Sequence, residues 1–538
     1  MFKKVSLLVV ALGVLFANSA FAYNVQLKPF KDEQNDYARE SIYTLSALGI
    51  INGYEDGTYR ANADLSREAF VKLLVMARQL DTSAAVGKTP VDVAKTRWSA
   101  PVISAAYAHQ WIDSLLDKQG MFRPAQTITR QEVAMLVGKA LLESETEQTR
   151  QQWLGGDWKT ERDARAFKDQ SSINAAMQPY VYYAANRGMM EGDPSGFKPN
   201  APLIRKQAAA VIYRLIDDRV SGQKVDFTGY YAIQSYPAIQ QMNKLAHVIF
   251  GWSHLSYSTA GTAGLDVSTT VNKIPAGYEE AIAAADVAQA SKELMVFYDG
   301  SNLKDFLKDE PAQQAFVQSL LATLNNSAYG FTGVSMDFEG LKEAGSAPDY
   351  VRFLQKVKDQ LGTALTLSVA VPPIQYYKGY DLAAIGKLAD TVILMAYDFT
   401  HSDSKLPSAP LPLVNDTVAT ALQSIPKEKL VLGISKQANQ WITSGGGVTG
   451  NVLSPAIADV EKRLAMPGVT RTWEMPYFLA KATFKDERGS HELYYEDTQS
   501  IAKKIWVAKF YELKGVSLWF MGNYTASDWT LVGEQMAK

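Results

Sequence analysis

The chain contains no cysteine, which removes disulfides, thiolate metal ligands and cysteine nucleophiles from its chemistry. Histidine is scarce as well. The five present, His109, His247, His254, His401 and His491, form neither an HExxH pair nor a close cluster, so no catalytic metal is expected. An excess of charge is also missing. Lys plus Arg number 54 against 56 Asp plus Glu, a formal net charge of −2 over 538 residues, and no basic run offers a footprint for nucleic acid. The stretch TSAAVGKT has Thr82 where a phosphate loop needs its first glycine, and the glycines Gly445, Gly447 and Gly450 do not join a strand to a helix. Neither supports a nucleotide site, and no cofactor is expected. Long apolar runs are absent with one exception, VSLLVVALGVLF, which follows Lys3 and Lys4 and precedes ANSAFA. That order reads as a signal peptide over residues 1–22, cleaved after Ala22, so the chain is expected to be exported and to have no membrane contact after cleavage.

Apolar residues make up 47% of the chain, enough for several cores. The first 215 residues or so repeat themselves three times. An aspartate opens each unit (Asp32, Asp92, Asp169) and an arginine stands before the last helix of each (Arg67, Arg130, Arg205), at separations of 35, 38 and 36 residues. Between them lie a helix with apolar residues at helical spacing, a Gly/Asp/Asn-rich turn, and a second helix that starts behind Ser66, Thr129 or Ile204. A lone helix pair cannot bury its apolar faces, so the three units, residues 23–85, 86–148 and 160–220, should pack as one all-α domain of pseudo-threefold character.

The units resemble the S-layer homology module, with its FxD opening, G(x)DGxF turn and ITRxE closing motif. The resemblance implies attachment to an anionic secondary cell-wall polysaccharide, with Arg67, Arg130 and Arg205 gripping acidic sugar substituents in the grooves between units, aided by Trp98 and the opening aspartates Asp32, Asp92 and Asp169. A guanidinium fork pairs two carboxylate oxygens at once, which suits that task. Read alone, each arginine could equally tie helix ends together. The third copy has Ala176 where the second has Trp98, and LIRKQ in place of ITRQE, which singles out its groove as the weak one.

From about Thr228 the texture changes. Eight short β-rich runs, GYYAIQS, HVIFGWS, ELMVFYD, GVSMDFE, LTLSVAVPP, TVILMAYDF, LVLGISK and GVSLWFMGN, alternate with helical stretches. Eight strand–helix units over residues 225–538 predict an α/β TIM barrel, with a small insertion between the seventh and eighth strands, about Gln437 to Ser490. In such barrels chemistry sits at the C-terminal strand ends. In the fourth strand, alternation puts Ser335, Asp337 and Glu339 on one face and Val334, Met336 and Phe338 on the other. A paired carboxyl at the mouth can act as a proton donor; a buried salt-bridge network is the other reading of the same residues.

GVSMDFEG resembles the DGxDxDxE stretch of glycoside hydrolase family 18, MAYD at Met395 to Asp398 its MxYD motif, and Trp519 its eighth-strand tryptophan. The resemblance implies Glu339 as general acid, Asp337 orienting the substrate acetamido group, Tyr397 binding its carbonyl oxygen and Asp398 supporting the same subsite. Trp519 would floor the sugar, and Met395, Ser335 and Tyr231 would line the substrate site. It further implies substrate-assisted, retaining cleavage of β-1,4 bonds in N-acetylglucosamine-containing polysaccharide. GVSMDFEG, MAYDFTHS and HELYYEDTQS look closer to spore-cortex and wall-lytic glucosaminidases than to secreted chitinases, which puts peptidoglycan ahead of chitin and the protein at a bacterial cell surface. Two positions depart from the pattern: Thr332 and Ser335 stand where it has aspartates, and Ser335 is expected to leave Asp337 more readily ionised. The rival reading is a non-catalytic glycan-binding surface protein that kept the barrel and lost turnover.

Overall fold

The computed structural model describes residues 25–83, 87–400 and 405–537. The expected signal peptide and His401 lie outside them. Two bodies follow one another: a helical region to Ser221, then, after four intervening residues, a barrel that begins at Asp226.

Each repeat is a helix pair: Arg39–Ala47 with Arg67–Ala77, Ala100–Ala108 with Arg130–Glu143, and Gln178–Asn186 with Arg205–Ser221. The pseudo-threefold is drawn in backbone hydrogen bonds. Leu65 N–H donates to Leu203 O, Leu203 N–H to Ile128 O, and Ile128 N–H to Leu65 O, at 3.2, 3.0 and 2.9 Å, which closes a ring. Just after it, the first N–H groups of each second helix have no partner in their own helix. They donate into the neighbouring repeat instead: Arg67 to Gln126 O, Arg130 to Ala201 O and Arg205 to Ala63 O, at 2.8, 3.0 and 2.9 Å.

The opening aspartates clamp the turns. Asp32 accepts the N–H groups of Tyr59 and Arg60, Asp92 those of Phe122 and Arg123, and Asp169 those of Phe197 and Lys198, all at 2.7–2.8 Å. Arg60, Arg123 and Lys198 have φ of 58°, 54° and 57°, the left-handed region that a side chain seldom adopts without such support. Both oxygens of Asp32, Asp92 and Asp169 thus bond their own repeat, a structural task beside the expected one of polymer ligand.

The barrel strands are β1 (Asp226–Tyr231), β2 (His247–Thr259), β4 (Ser291–Tyr298), β5 (Gly333–Phe338), β6 (Thr366–Val371), β7 (Thr391–Met395), β8 (Leu430–Ser435) and β13 (Gly515–Trp519). All eight pair in parallel, and β1 bonds to both β2 and β13, so the sheet closes. A ninth strand, β3 (Thr262–Asp266), extends β2 as a hairpin. Between β8 and β13 the chain forms an antiparallel sheet of β9 (Ala438–Thr443), β10 (Thr470–Glu474), β11 (Leu479–Asp486) and β12 (Gly489–Tyr495), in the order β10-β11-β12-β9.

The two bodies share a core. Leu411, Met475, Phe478, Val507 and Phe510 of the barrel half are buried in the cluster that fills the helical region. Trp506 Nε1 donates to Asp217 at 3.0 Å and stacks on Tyr213, while Lys503 pairs with Glu40.

Candidate active site

Strand alternation sorts the barrel. Val334, Met336 and Phe338 face the helices, where Phe338 stacks on Phe353 at 5.5 Å between centroids, and the opposite parity turns Ser335 and Asp337 inward. Tyr230, Ile249, Met295, Ile393 and Val431 form a separate inner cluster, topped by Trp519. On β1 this parity makes Tyr230 the inner residue. Tyr231 packs outward against Phe250 and Trp252, which corrects its reading as a substrate residue: in GYY the two rings take opposite faces. Tyr230 meets Trp519 edge-on at 5.1 Å, and the Trp519–Phe520 peptide is cis. Met395 and Tyr397 leave β7 on the parity of Ile393, and both are buried. Gly433 keeps Tyr397 there: a Cβ on it would lie 3.3 Å from the ring and 2.8 Å from Leu394 O.

Asp337 is 3% exposed and its Oδ1 has no hydrogen-bond partner among the described residues. Burial and then the neighbouring Glu339 push its carboxyl well above the usual range. Whatever relief Ser335 gives by removing a like charge, burial still holds Asp337 above the usual carboxylate range. Glu339, half-buried at the mouth, donates its N–H to Tyr298 O at 2.8 Å. Burial, then the charges of Asp398 and Asp299, raise its carboxyl to about 7. Two carboxyls this close and this dry do not ionise together, so the pair retains a proton near neutrality. Asp398 opens to solvent at the rim, yet surrounding protein still raises its carboxyl. Burial first, and then Asp337 and more weakly Glu339, raise Tyr397, so the motif residues of β5 and β7 share one field. Thr332 stands apart at the other end of β5, where it hydrogen-bonds Lys292 O.

That other end holds a second polar chamber of about 260 Å³, lined by Thr228, His247, Glu293, Thr332, Ser368 and Lys514 among others. Glu293 is buried and raised there too, but Thr366 Oγ1 donates to it at 2.7 Å and Ser368 adds a second bond. Among the described residues no cluster of three or more His, Asp or Glu is arranged for a metal.

The profile of glycosyl hydrolases family 18 matches residues 226–523, more than half of the chain. The chain belongs to that family. Three S-layer homology domains match residues 29–71, 91–134 and 166–209. The family 18 chain is 28% identical over 244 residues to a cortical fragment-lytic enzyme of Bacillus subtilis, covering 43% of this chain and 55% of that one, so it spans about half the relative's length. The crystal structure of a chitinase from Chromobacterium violaceum shares the barrel fold at TM-score 0.51 and 20% identity, covering 58% of this chain and 99% of that one. The Bacillus cereus spore cortex-lytic enzyme SleL aligns at TM-score 0.49 and 21% identity, over 59% of this chain and 75% of that one.

The three homology-module arginines are not equivalent. Arg205 Nε donates to Tyr59 O at 2.9 Å and its Nη2 to Asn52 O at 3.2 Å; Arg130 does the same to Phe197 O and Glu191 O at 2.9 and 2.8 Å. Each leaves Nη1 without a partner among the described residues and lines an open groove. Arg205 shares one of about 170 Å³ with Lys72 and Trp98, and Arg130 one of about 450 Å³ with Tyr37 and Arg214. Trp98 and Tyr37 occupy the same position, just before the helix cap of their repeats, and are 59% and 64% exposed. The third copy has Ala176 there. Arg67 differs: it is buried, ion-paired with Glu132 and bonded to Phe122 O at 2.8 Å. Glu132 stands where the other repeats have Ala69 and Gln207. This corrects Arg67 as a free polymer ligand, and the closed groove is its own.

Proposed function

We propose that this protein is a wall-anchored retaining glycoside hydrolase that cleaves β-1,4 bonds of N-acetylglucosamine-containing glycans. The observation that carries the reading is the placing of buried Asp337 and half-buried Glu339 together at the C-terminal end of β5, where a barrel does its chemistry, with both carboxyls raised. Glu339 protonates the glycosidic oxygen, and the substrate's own acetamido oxygen attacks the anomeric carbon from the opposite face. Asp337 accepts the acetamido N–H as positive charge grows on that nitrogen, and the Tyr397 hydroxyl donates to the acetamido oxygen and aims it. Trp519 floors the sugar, with Met395 and Tyr230 around it, and Asp398 supports the subsite. Water deprotonated by Glu339 then opens the oxazolinium ring with retention. Peptidoglycan ranks ahead of chitin because a cortical fragment-lytic enzyme is among the relatives.

Residues 1–22 direct export in this reading, and the grooves of Arg130 and Arg205 hold the enzyme to an acidic wall polysaccharide. Each offers a guanidinium for an anionic substituent and an aromatic face for a sugar ring. Mass spectrometry of products from peptidoglycan and from chitooligosaccharides tests the hydrolase, with Glu339→Gln as control. The full mature chain is used, since an isolated barrel would uncover Val507 and Phe510. Cleavage that needs Glu339 supports it; binding without cleavage by either protein makes it a glycan-binding protein. Co-sedimentation with purified walls tests the anchor. Arg130→Ala with Arg205→Ala is expected to lower wall affinity at least tenfold, while Arg67→Gln leaves it within about twofold.

A further inference from the structure

Asp398 follows β7 with φ at 62°, a conformation a residue with a side chain holds only when its surroundings enforce it. What enforces it is one serine. Asp398 N–H donates to Ser408 Oγ at 3.0 Å, and Phe399 N–H donates to Ser408 O at 2.9 Å, so Ser408 caps two successive amides of the turn. Ser408 is itself fixed from the inserted sheet. Its N–H donates to Asn439 Oδ1 at 2.6 Å and its hydroxyl to Gln437 Oε1 at 2.7 Å. Ser408 Oγ also lies 3.4 Å from Asp398 Oδ1, and hydrogen bonding from Gln437 and Ser408 favours the ionised form of that carboxyl. Ser408 and Asn439 are each 4% exposed, so no bulk water stands ready to replace either.

We propose that Ser408 is a positioning residue for Asp398, and that through Gln437 and Asn439 it makes the inserted sheet part of the active-site apparatus. The proposal rests on the hydrolase reading above. Gln437 and Asn439 flank the start of β9, which pairs with β12, so the insertion reaches the strand-seven motif through a short chain of hydrogen bonds. The consequence runs on to Glu339. The groups around that carboxyl are Asp337 on its own strand, Asp299 beyond β4, Tyr377 and Tyr380 beyond β6, Tyr397 and Asp398 beyond β7, and Tyr230 on β1. Asp398 is first among the charges that hold the Glu339 proton on. A carboxylate that loses the Ser408 and Gln437 bonds protonates more easily and repels Glu339 less.

The test is Ser408→Ala in the full mature chain, with Ser408→Thr as the conservative variant and Gln437→Leu as an independent cut of the same relay. Expected for Ser408→Ala and Gln437→Leu is a kcat loss of roughly tenfold with KM changed less than twofold, and an alkaline limb of kcat/KM moved to lower pH. Ser408→Thr restores both kcat and the limb. Titration of Glu339 by carboxyl infrared bands, without substrate, reads the same downward shift. An unmoved limb and an unmoved Glu339 titration overturn the proposal, whether or not kcat falls, since a fall alone is then only loss of structure. A wild-type chain that cleaves nothing sinks the hydrolase reading, while the infrared titration still decides whether Ser408 governs Glu339.

Discussion

The two ends of the barrel bury acids of the same kind to different effect. At the floor, Glu293 is enclosed and its hydroxyl partners satisfy it; at the mouth, Asp337 is enclosed and left with an oxygen unpartnered. Burial raises both carboxyls, so a raised carboxyl alone does not mark the chemistry. The unpartnered oxygen is what separates the two acids. A buried acceptor without a donor costs stability, and an active site carries that cost because the donor is to arrive with the substrate.

The comparison breaks first at the mouth. Glu339→Gln is expected to lower kcat by roughly 10³-fold, and Asp337→Asn by about 10²-fold, measured by reducing-sugar release on glycan fragments. The pH profile sharpens it next. Glu339 must hold its proton to act as acid, so cleavage should fall as pH rises through about 7, read as the alkaline limb of kcat/KM. At the floor, Glu293→Gln should leave kcat within about twofold, with the effect confined to stability and Tm within about 3 °C. Its sign is fixed by burial. The folded chain keeps the Glu293 proton that the unfolded chain releases above the ordinary value of 4.5, so that part of the stability is present at low pH and declines as pH rises beyond 4.5. Thermal melts of the wild type and Glu293→Gln should lie closest at low pH and part as pH rises, with the wild type losing stability that the variant keeps.

The same contrast explains what could be read ahead of the structure. Period-two alternation in GVSMDFEG carried Asp337 and Glu339 to one face, and eight β-rich runs carried the barrel, because both are local patterns. Parity at GYY was not local: two adjacent tyrosines offer the same chemistry to both faces, and only the register of β1 with β2 and β13 selects Tyr230. Repeat spacing likewise marked Asp32, Asp92 and Asp169 but not their task, since a clamp on a turn and a ligand contact recur equally well. Glu132 closing on Arg67 needed two repeats brought together. Ser408 and Gln437 lie 10 and 39 residues beyond Asp398 and carry no motif of their own.

Only four residues join the last helix of the wall module to the first strand of the barrel, and Val507 and Phe510 of the barrel half are sunk into the module's core. Such a joint has only four residues and a shared core on which to turn. In the function proposed above, a catalytic head on a loose tether would sweep a volume set by its linker, whereas this one would stay close to whatever strand the Arg130 and Arg205 grooves hold. Its working radius is then the slack of the wall polymer itself, and a tightly stretched polymer would confine each molecule to the glycan directly beneath it.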